Sequence, residues 1–251
     1  MFDSHAHYDD ERFDADRDIL LPSLFENGVT GIVNIGCSRK TSEDSVLLAE
    51  QYPLVFASVG IHPHEACRYT DGDIDVITSL LTHKKVVALG EIGLDYHYGS
   101  DVKEEQKLLF RKQMEIAEAT KMPVVIHERE SCADCLEIVR DYDVYGVFHS
   151  FSGSKETARL LLDRGWYISF SGTVTFKNAV TPVENASYVP EDRILVETDC
   201  PYLAPVPMRG KRNDSGIMRY TLQRLAEIRG VSFEHIEQLT ETNAKRLFRI
   251  G

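Results

Sequence analysis

Residues 86–95 read Val86-Val87-Ala88-Leu89-Gly90-Glu91-Ile92-Gly93-Leu94-Asp95. Val86–Leu89 is a short apolar run with no polar alternation, the pattern of a strand buried on both faces of a parallel sheet. A glycine and a carboxylate follow at once. Seven other short segments, rich in Val, Ile and Phe, also mostly lack polar alternation: Met1–Phe2 leading into Asp3, Val29–Ile35, Leu54–Val59, Val124–Ile126, Val147–Phe148, Tyr167–Phe170 and Ile194–Val196. The stretches between them read as helices. Thr41–Gln51 sets Val46, Leu47 and Ala49 beside acidic positions after a Thr/Ser/Asp-rich start that suits an N-cap. Val102–Thr120 carries Leu108, Leu109, Met114, Ile116 and Ala117 among Lys, Glu and Gln, and Ser154–Arg164 stops at Gly165. Two further helices, about Ile217–Arg229 and Ser232–Phe248, are separated by Gly230. Eight alternations of strand and helix predict an α/β chain forming a single-domain (β/α)8 TIM-like barrel over residues 1–251. An open doubly wound sheet is the competing topology.

Composition narrows the function. The 251 residues carry 28 basic and 40 acidic side chains, a net charge of −12. That balance argues against a protein that coats nucleic acid with a basic surface, but not against an enzyme that grips a phosphate chain locally. No apolar run approaches the roughly 18–20 residues of a membrane span. Met1–Asp18 lacks the basic and apolar regions of a signal peptide. A cytoplasmic protein with no membrane association is therefore expected. The five scattered cysteines read as reduced thiols. Cys132 and Cys135 have no second pair to complete a zinc site and read as packed thiols. No Gly-x-Gly-x-x-Gly or Walker sequence occurs, so no nucleotide cofactor is implied, and no Gly-x-Ser-x-Gly elbow suggests a serine hydrolase. Nothing in the chain implies an obligate protein partner.

Reactive side chains stand at the C-terminal ends of the expected strands. The first ends in Asp3-Ser4-His5-Ala6-His7, the third in Gly60-Ile61-His62-Pro63-His64 and the fourth in Gly90 to Asp95. The fifth ends in His127, the sixth in His149 and the eighth in Glu197-Thr198-Asp199. In a barrel such ends gather at one mouth, where these folds keep their active sites. Residues i and i+2 of a strand share a face, so His5 and His7 can aim at one cation. Glu91 and Asp199 supply anionic oxygens, and His127 and His149 further nitrogens. Six candidate ligands exceed the needs of one four-coordinate ion, so two divalent cations sharing Glu91 as a bridge is the economical reading. Any one of these residues alone reads as a hydrogen-bonded core histidine or a capping carboxylate. Their joint placement favours a metal site.

The stretches Phe2-Asp3-Ser4-His5-Ala6-His7, Gly60-Ile61-His62-Pro63-His64, Gly90-Glu91-Ile92-Gly93-Leu94-Asp95-Tyr96, Pro123 to His127, His149-Ser150-Phe151-Ser152-Gly153, and Glu197 to Pro205, in this order, resemble the TatD family of metal-dependent hydrolases within the amidohydrolase superfamily. Arg209-Gly210-Lys211-Arg212-Asn213 also looks like the family. The resemblance implies a TIM-like barrel, a divalent-metal centre and hydrolysis, most often as a deoxyribonuclease. It carries the metal-ligand role to His5, His7, Glu91, His127, His149 and Asp199, with Glu91 bridging where other barrel hydrolases use a modified lysine. Lys84 and Lys85 precede the fourth strand and stand at its wrong end for that role. The chain departs from the family at Met208, where a His is common, and at Asp214 and Ser215, where Glu-Pro is common. The missing Pro is expected to loosen this loop.

The expected reaction is phosphodiester hydrolysis by a metal-activated water, with Mg, Mn or Zn as the cations and Asp199 as the general base. Glu91 joins Asp199 as the second catalytic carboxylate. His62 and His64, read as sharing one strand face, are expected to donate to phosphate oxygens. Arg209, Lys211 and Arg212 form a basic cluster that complements a phosphate chain. The acidic remainder repels long duplex, which favours single-stranded DNA or chain ends and a 3′–5′ exonuclease-like action. The alternatives are a carboxylic-ester or aminoacyl-tRNA deacylase, and a metal-stabilised binding protein without turnover.

Overall fold

The computed structural model describes residues 1–98 and 100–251. Eight strands alternate with helices: β1 (Phe2–Ala6), α1 (Arg17–Glu26), β2 (Gly31–Ile35), α2 (Arg39–Gln51), β3 (Val55–Val59), α3 (Asp71–Leu80), β4 (Val86–Asp95), α4 (Lys103–Thr120), β5 (Val124–Arg129), α5 (Cys132–Arg140), β6 (Gly146–Phe148), α6 (Lys155–Leu162), β7 (Tyr167–Phe170), α7 (Val180–Tyr188) and β8 (Ile194–Val196). Two helices, α8 (Arg219–Arg229) and α9 (Phe233–Phe248), end the chain. The hydrogen-bonded strand order is β1 to β8 in sequence. With Ala6 of β1 bridged to Cys200 beyond β8, this is the TIM-like (β/α)8 barrel class expected from the sequence. Among the described residues, no helix is long and apolar enough to cross a membrane.

The chain divides into two compact units, Met1–Asn34 with His149–Gly251, and Ile35–Phe148. In the first, β1 pairs with β2 in the register Phe2↔Gly31, and β7 with β8 in the register Ile168↔Ile194. The backbone bonds Asp199 N–H to His5 O (2.9 Å) and His7 N–H to Cys200 O (2.8 Å) tie the end of β8 to β1. In the second, Ala57↔Val86, Leu89↔Val124 and Val124↔Gly146 register β3 to β6 as parallel neighbours. β1, β2, β6, β7 and β8 are buried along their whole length; β6 and β8 are unbroken apolar runs, while β1, β2 and β7 also bury polar residues such as Asp3, Asn34 and Ser169.

The differences from the expected boundaries have local causes. β4 runs to Asp95 where the apolar run ends at Leu89, because all ten residues are buried and Ile92, Gly93, Leu94 and Asp95 pair with β5. β5 likewise runs three residues beyond Ile126, which makes His127 a strand residue. The helix α2 begins before Thr41 because Ser38 accepts from Thr41 N–H while Thr41 Oγ1 accepts from Ser38 N–H, a capping box. Helix α1 has no single apolar face and holds Pro22: Ile19 is exposed while Leu21 and Leu24 are buried.

Gly93 shows what the β4–β5 seam demands. Its φ is +140°, and a Cβ there would lie 2.0 Å from His127 O. Gly93→Ala is therefore expected to lower unfolding free energy by about 2–5 kcal/mol, combining backbone strain with overpacking. Urea denaturation checks this, and an unchanged midpoint would contradict it.

Candidate metal centre

In the first unit, β1 ends by delivering His5 and His7 to the same place. Their Nε2 atoms are 3.2 Å apart. Asp199, just past β8, sets Oδ1 3.3 Å from His7 Nε2 and 3.6 Å from His5 Nε2. These three residues offer ligand atoms close enough to share one cation. The ring of His149 stacks on that of His5 with centroids 4.0 Å apart, and its Nδ1 lies 3.2 Å from Glu197 Oε1. His5, His149 and Glu197 form a second metal-capable group. Asp199 has φ +57° and Ser150, beside His149, φ +40°. Both loops thus hold a left-handed residue beside a reactive side chain, a conformation Asp tolerates better than most.

In the second unit, Glu91 on β4 and His127 on β5 meet with Oε1 and Nδ1 2.7 Å apart. Glu91 is 4 % exposed. His62 Nε2 stands 3.7 Å from the same oxygen, and His62, Glu91 and His127 form a metal-capable group. Asp95, on the same face of β4 as Glu91, sets Oδ2 3.1 Å from both His127 Nε2 and His64 Nε2. Burial opposes ionisation of Asp95, yet the His127 hydrogen bond and charge, the Tyr98 N–H and the His64 charge hold its carboxyl well below the usual range.

These donor sets fit divalent cations. Two imidazole nitrogens 3.2 Å apart share at most one hydrogen when neutral, and a carboxylate oxygen beside them adds a further acceptor. Glu197 is fully buried, and its Oε2 has no hydrogen-bond partner among the described residues. A buried carboxylate oxygen in that state is costly without a cation. Nitrogen and carboxylate donors of this kind suit zinc, manganese or magnesium.

His62 and His64 do not share a strand face. β3 ends at Val59, and His62 caps a short 3-10 turn over Pro63–Glu65 because Pro63 cannot continue the ladder. His62 Nδ1 accepts from His64 N–H at 3.2 Å, so a neutral His62 carries its proton on Nε2, toward Glu91. Burial first, and then the His127 charge, push the His62 pKa well below the usual imidazole value. His62 therefore acts as a neutral ring.

The basic stretch is mixed in role. Both terminal nitrogens of Arg212 pair with Asp16, at 2.8 and 2.6 Å, and the guanidinium lies over Phe13. Arg209 lies over the Phe176 ring at 4.0 Å, and Lys211 is exposed. The loop is not loosened by the missing Pro. Ser215 is fully buried and donates to Asp3 Oδ2 at 2.7 Å, while its N–H bonds Tyr8 Oη at 2.8 Å. Asp214 accepts from Gly216 N–H, and Asn213 Nδ2 bonds Thr198 O and Tyr202 O.

Asp3, beneath His5, is fully buried. Burial raises its pKa to about 6 even though Ser215, Thr198 and the His5 N–H all donate to it. The unfolded value is near 3.8, so between these two the native state holds a proton the unfolded chain has released. Stability must then fall as pH rises from about 4 to about 6, by about 3 kcal/mol for this group. Asp3→Asn should flatten that slope in metal-free protein. Equal slopes in both proteins by urea unfolding would contradict the assignment.

Glu197, which groups with His5 and His149, was not among the ligands expected from sequence, nor was Asp95 given a role, though it meets His127 and His64. The signal was available: Asp95 is four residues from Glu91 and Glu197 two from Asp199, positions that share a face when the chain is extended.

The fold and these groups define a (β/α)8 barrel with histidine and carboxylate donors at its strand ends. A profile of the TatD-related DNase family matches residues 2–249. The chain is 41% identical over 254 residues to an uncharacterized metal-dependent hydrolase, YabD, of Bacillus subtilis, with 100% of each chain covered. It is 30% identical over 258 residues to the 3′-5′ ssDNA/RNA exonuclease TatD of Salmonella typhimurium, covering 100% of this chain and 99% of that one. The crystal structure of YjjV, a TatD homologue from Escherichia coli K12, superposes with a TM-score of 0.94 at 27% identity, covering 100% and 98% of the two chains. The chain belongs to the TatD-related DNase family and is a metal-dependent hydrolase of that family.

Proposed function

We propose that this chain is a 3′–5′ exonuclease acting on single-stranded DNA or chain ends with two divalent cations, Mg, Mn or Zn. The observation that carries the reading is the convergence of His5 Nε2, His7 Nε2 and Asp199 Oδ1 within 3.6 Å of one another. These residues, with His149, would hold one cation; Glu91 and His127 would hold the other. When bound, such cations polarise a phosphoryl oxygen and make a hydroxide nucleophile available near neutral pH. Asp199 accepts the proton of the attacking water as a carboxylate: burial opposes its ionisation, but His7, His5 and His149 keep it charged. Neutral His62, whose Nε2–H lies on the Glu91 side, and half-exposed His64 would offer donors to a phosphate oxygen bound beside Glu91. Arg209 and Lys211 attract the phosphate chain, while Arg212, clamped by Asp16, holds their loop. The Salmonella relative, named a 3′-5′ ssDNA/RNA exonuclease, supports the nucleic-acid substrate. The net charge of −12 favours chain ends over long duplex.

The test is degradation of end-labelled single-stranded DNA by metal-stripped protein, with and without added Mg²⁺ or Mn²⁺. Metal-dependent shortening from the 3′ end is expected. No cleavage in metal-loaded protein would overturn the nuclease reading. Turnover of aminoacyl esters by the same preparation would then mark a deacylase, and metal uptake with no turnover a binding protein.

A further inference from the structure

We propose that Tyr202 is the stacking platform for the nucleobase beside the scissile phosphate of a single-stranded substrate. This assignment rests on the exonuclease reading and specifies how that site holds a base. Tyr202 stands three residues past Asp199, and its N–H closes the turn between them on Asp199 O at 2.9 Å. Its carbonyl accepts from Asn213 Nδ2 at 2.6 Å. The side chain is 48 % exposed and still held. Its hydroxyl donates to Asp10 Oδ2 at 3.3 Å, and the Arg12 guanidinium lies over the ring, 4.1 Å from its centre. Arg12 is itself fixed, with Nε and Nη2 each 2.8 Å from an oxygen of Asp10. The rings of Tyr202 and His7 meet at 76° with centroids 6.5 Å apart.

A lone exposed tyrosine is ordinary on a protein surface and carries no weight by itself. Tyr202 differs in three respects. The hydroxyl and the guanidinium immobilise the ring before a ligand arrives, so little side-chain entropy remains to be lost on binding. With one face under Arg12, its exposure leaves ring surface open to a ligand. The ring also borders His7, which shares a metal-capable group with His5 and Asp199. Aromatic rings backed by guanidinium groups are what the bases of a single strand stack on, because every base has a π-face. Asp10 balances the charge of Arg12, so the pair offers a stacking surface more than a grip on phosphate. A nucleobase is a flat aromatic group one sugar away from the phosphate being cleaved. It is the part of the substrate that matches this ring.

The test compares the Mn²⁺-loaded protein on an oligothymidylate with the same oligonucleotide carrying an abasic tetrahydrofuran unit at the 3′-terminal or the penultimate position. In the unaltered protein one of the two abasic substrates should lose about 5–150-fold in kcat/KM, the worth of one base–aromatic stack, mostly through KM. Tyr202→Leu keeps apolar bulk against Arg12 but has no ring, and should degrade intact and abasic substrates at matching kcat/KM. Tyr202→Phe loses only the bond to Asp10 and should keep the penalty. A merely structural Tyr202 would slow all substrates alike and leave the abasic penalty in place in Tyr202→Leu, which overturns the proposal. Equal degradation of intact and abasic DNA by the unaltered protein also overturns it, while the exonuclease reading stands. No degradation of any oligonucleotide overturns the exonuclease reading, and the stacking role with it. Tyr202→Trp reads the contact without turnover and decides even if Tyr202→Leu does not fold, since Trp166, the one tryptophan of the chain, is buried. Its indole fluorescence should be quenched by a cleavage-resistant phosphorothioate oligothymidylate and not by the abasic form. Equal quenching by the two overturns the proposal.

Discussion

Glu91→Gln is expected to lower metal-dependent hydrolysis by on the order of 10³-fold or more, because several kcal/mol of Lewis-acid stabilisation are lost and each 1.36 kcal/mol is tenfold in rate. Glu91 is nearly buried, with its Oε1 2.7 Å from His127 Nδ1 and 3.7 Å from His62 Nε2. Gln fills the same volume but carries no charge, and half of its polar end is an amide that donates where a ligand must accept. Bound metal should fall with the rate, from two ions per chain to one, when measured by elemental analysis after dialysis. Unchanged metal content and an unchanged rate would show that Glu91 is only a buried hydrogen-bond partner of His127.

Asp199→Asn is expected to reduce kcat by about 10²–10⁴-fold, the range a positioned general base contributes. The choice of Asn matters. Asp199 sits at φ +57°, and Asn is among the few residues that take this conformation at little cost. The backbone bond from Asp199 N–H to His5 O, at 2.9 Å, is kept. The variant should therefore melt within a few degrees of the unaltered chain while losing activity. Asp199→Ala should lose activity and stability together, because Ala adds backbone strain. Equal kcat for Asp199→Asn and the unaltered protein would remove Asp199 from the proton-accepting role.

The barrel class was legible because most of its strands are buried on both faces, so that apolar residues dominate them, with single polar residues such as Asn34, Ser58 and Ser169 buried among them. The ends of β1, β4 and β5 were not, whereas the other five strands end where their apolar segments do. β4 looks finished at Leu89, yet Gly90 to Asp95 stay in the sheet because their backbone pairs with β5 and their side chains are enclosed. That misreading hid Asp95: only along a continuing strand do Glu91, Gly93 and Asp95 line one face. Glu197 stands one residue past β8, as read from the sequence, but its meeting with His149 required the fold. His5 and His7 do meet at one place, as their i, i+2 spacing on a strand implies. His62 and His64 have the same spacing but sit on a turn, where Pro63 changes the geometry that the spacing implies. The fate of Arg212 was not legible either. A basic run reads as a phosphate grip until its partner Asp16, nearly two hundred positions away in sequence, is seen.

The central claim is that the chain works through cations held by these strand-end donors. Anomalous diffraction from crystals grown with Mn²⁺ tests it most directly. Two peaks are predicted, one bonded to His5, His7 and Asp199 and one bonded to Glu91 and His127. Manganese absent from both donor sets in crystals of protein that hydrolyses its substrate with Mn²⁺ would contradict the account.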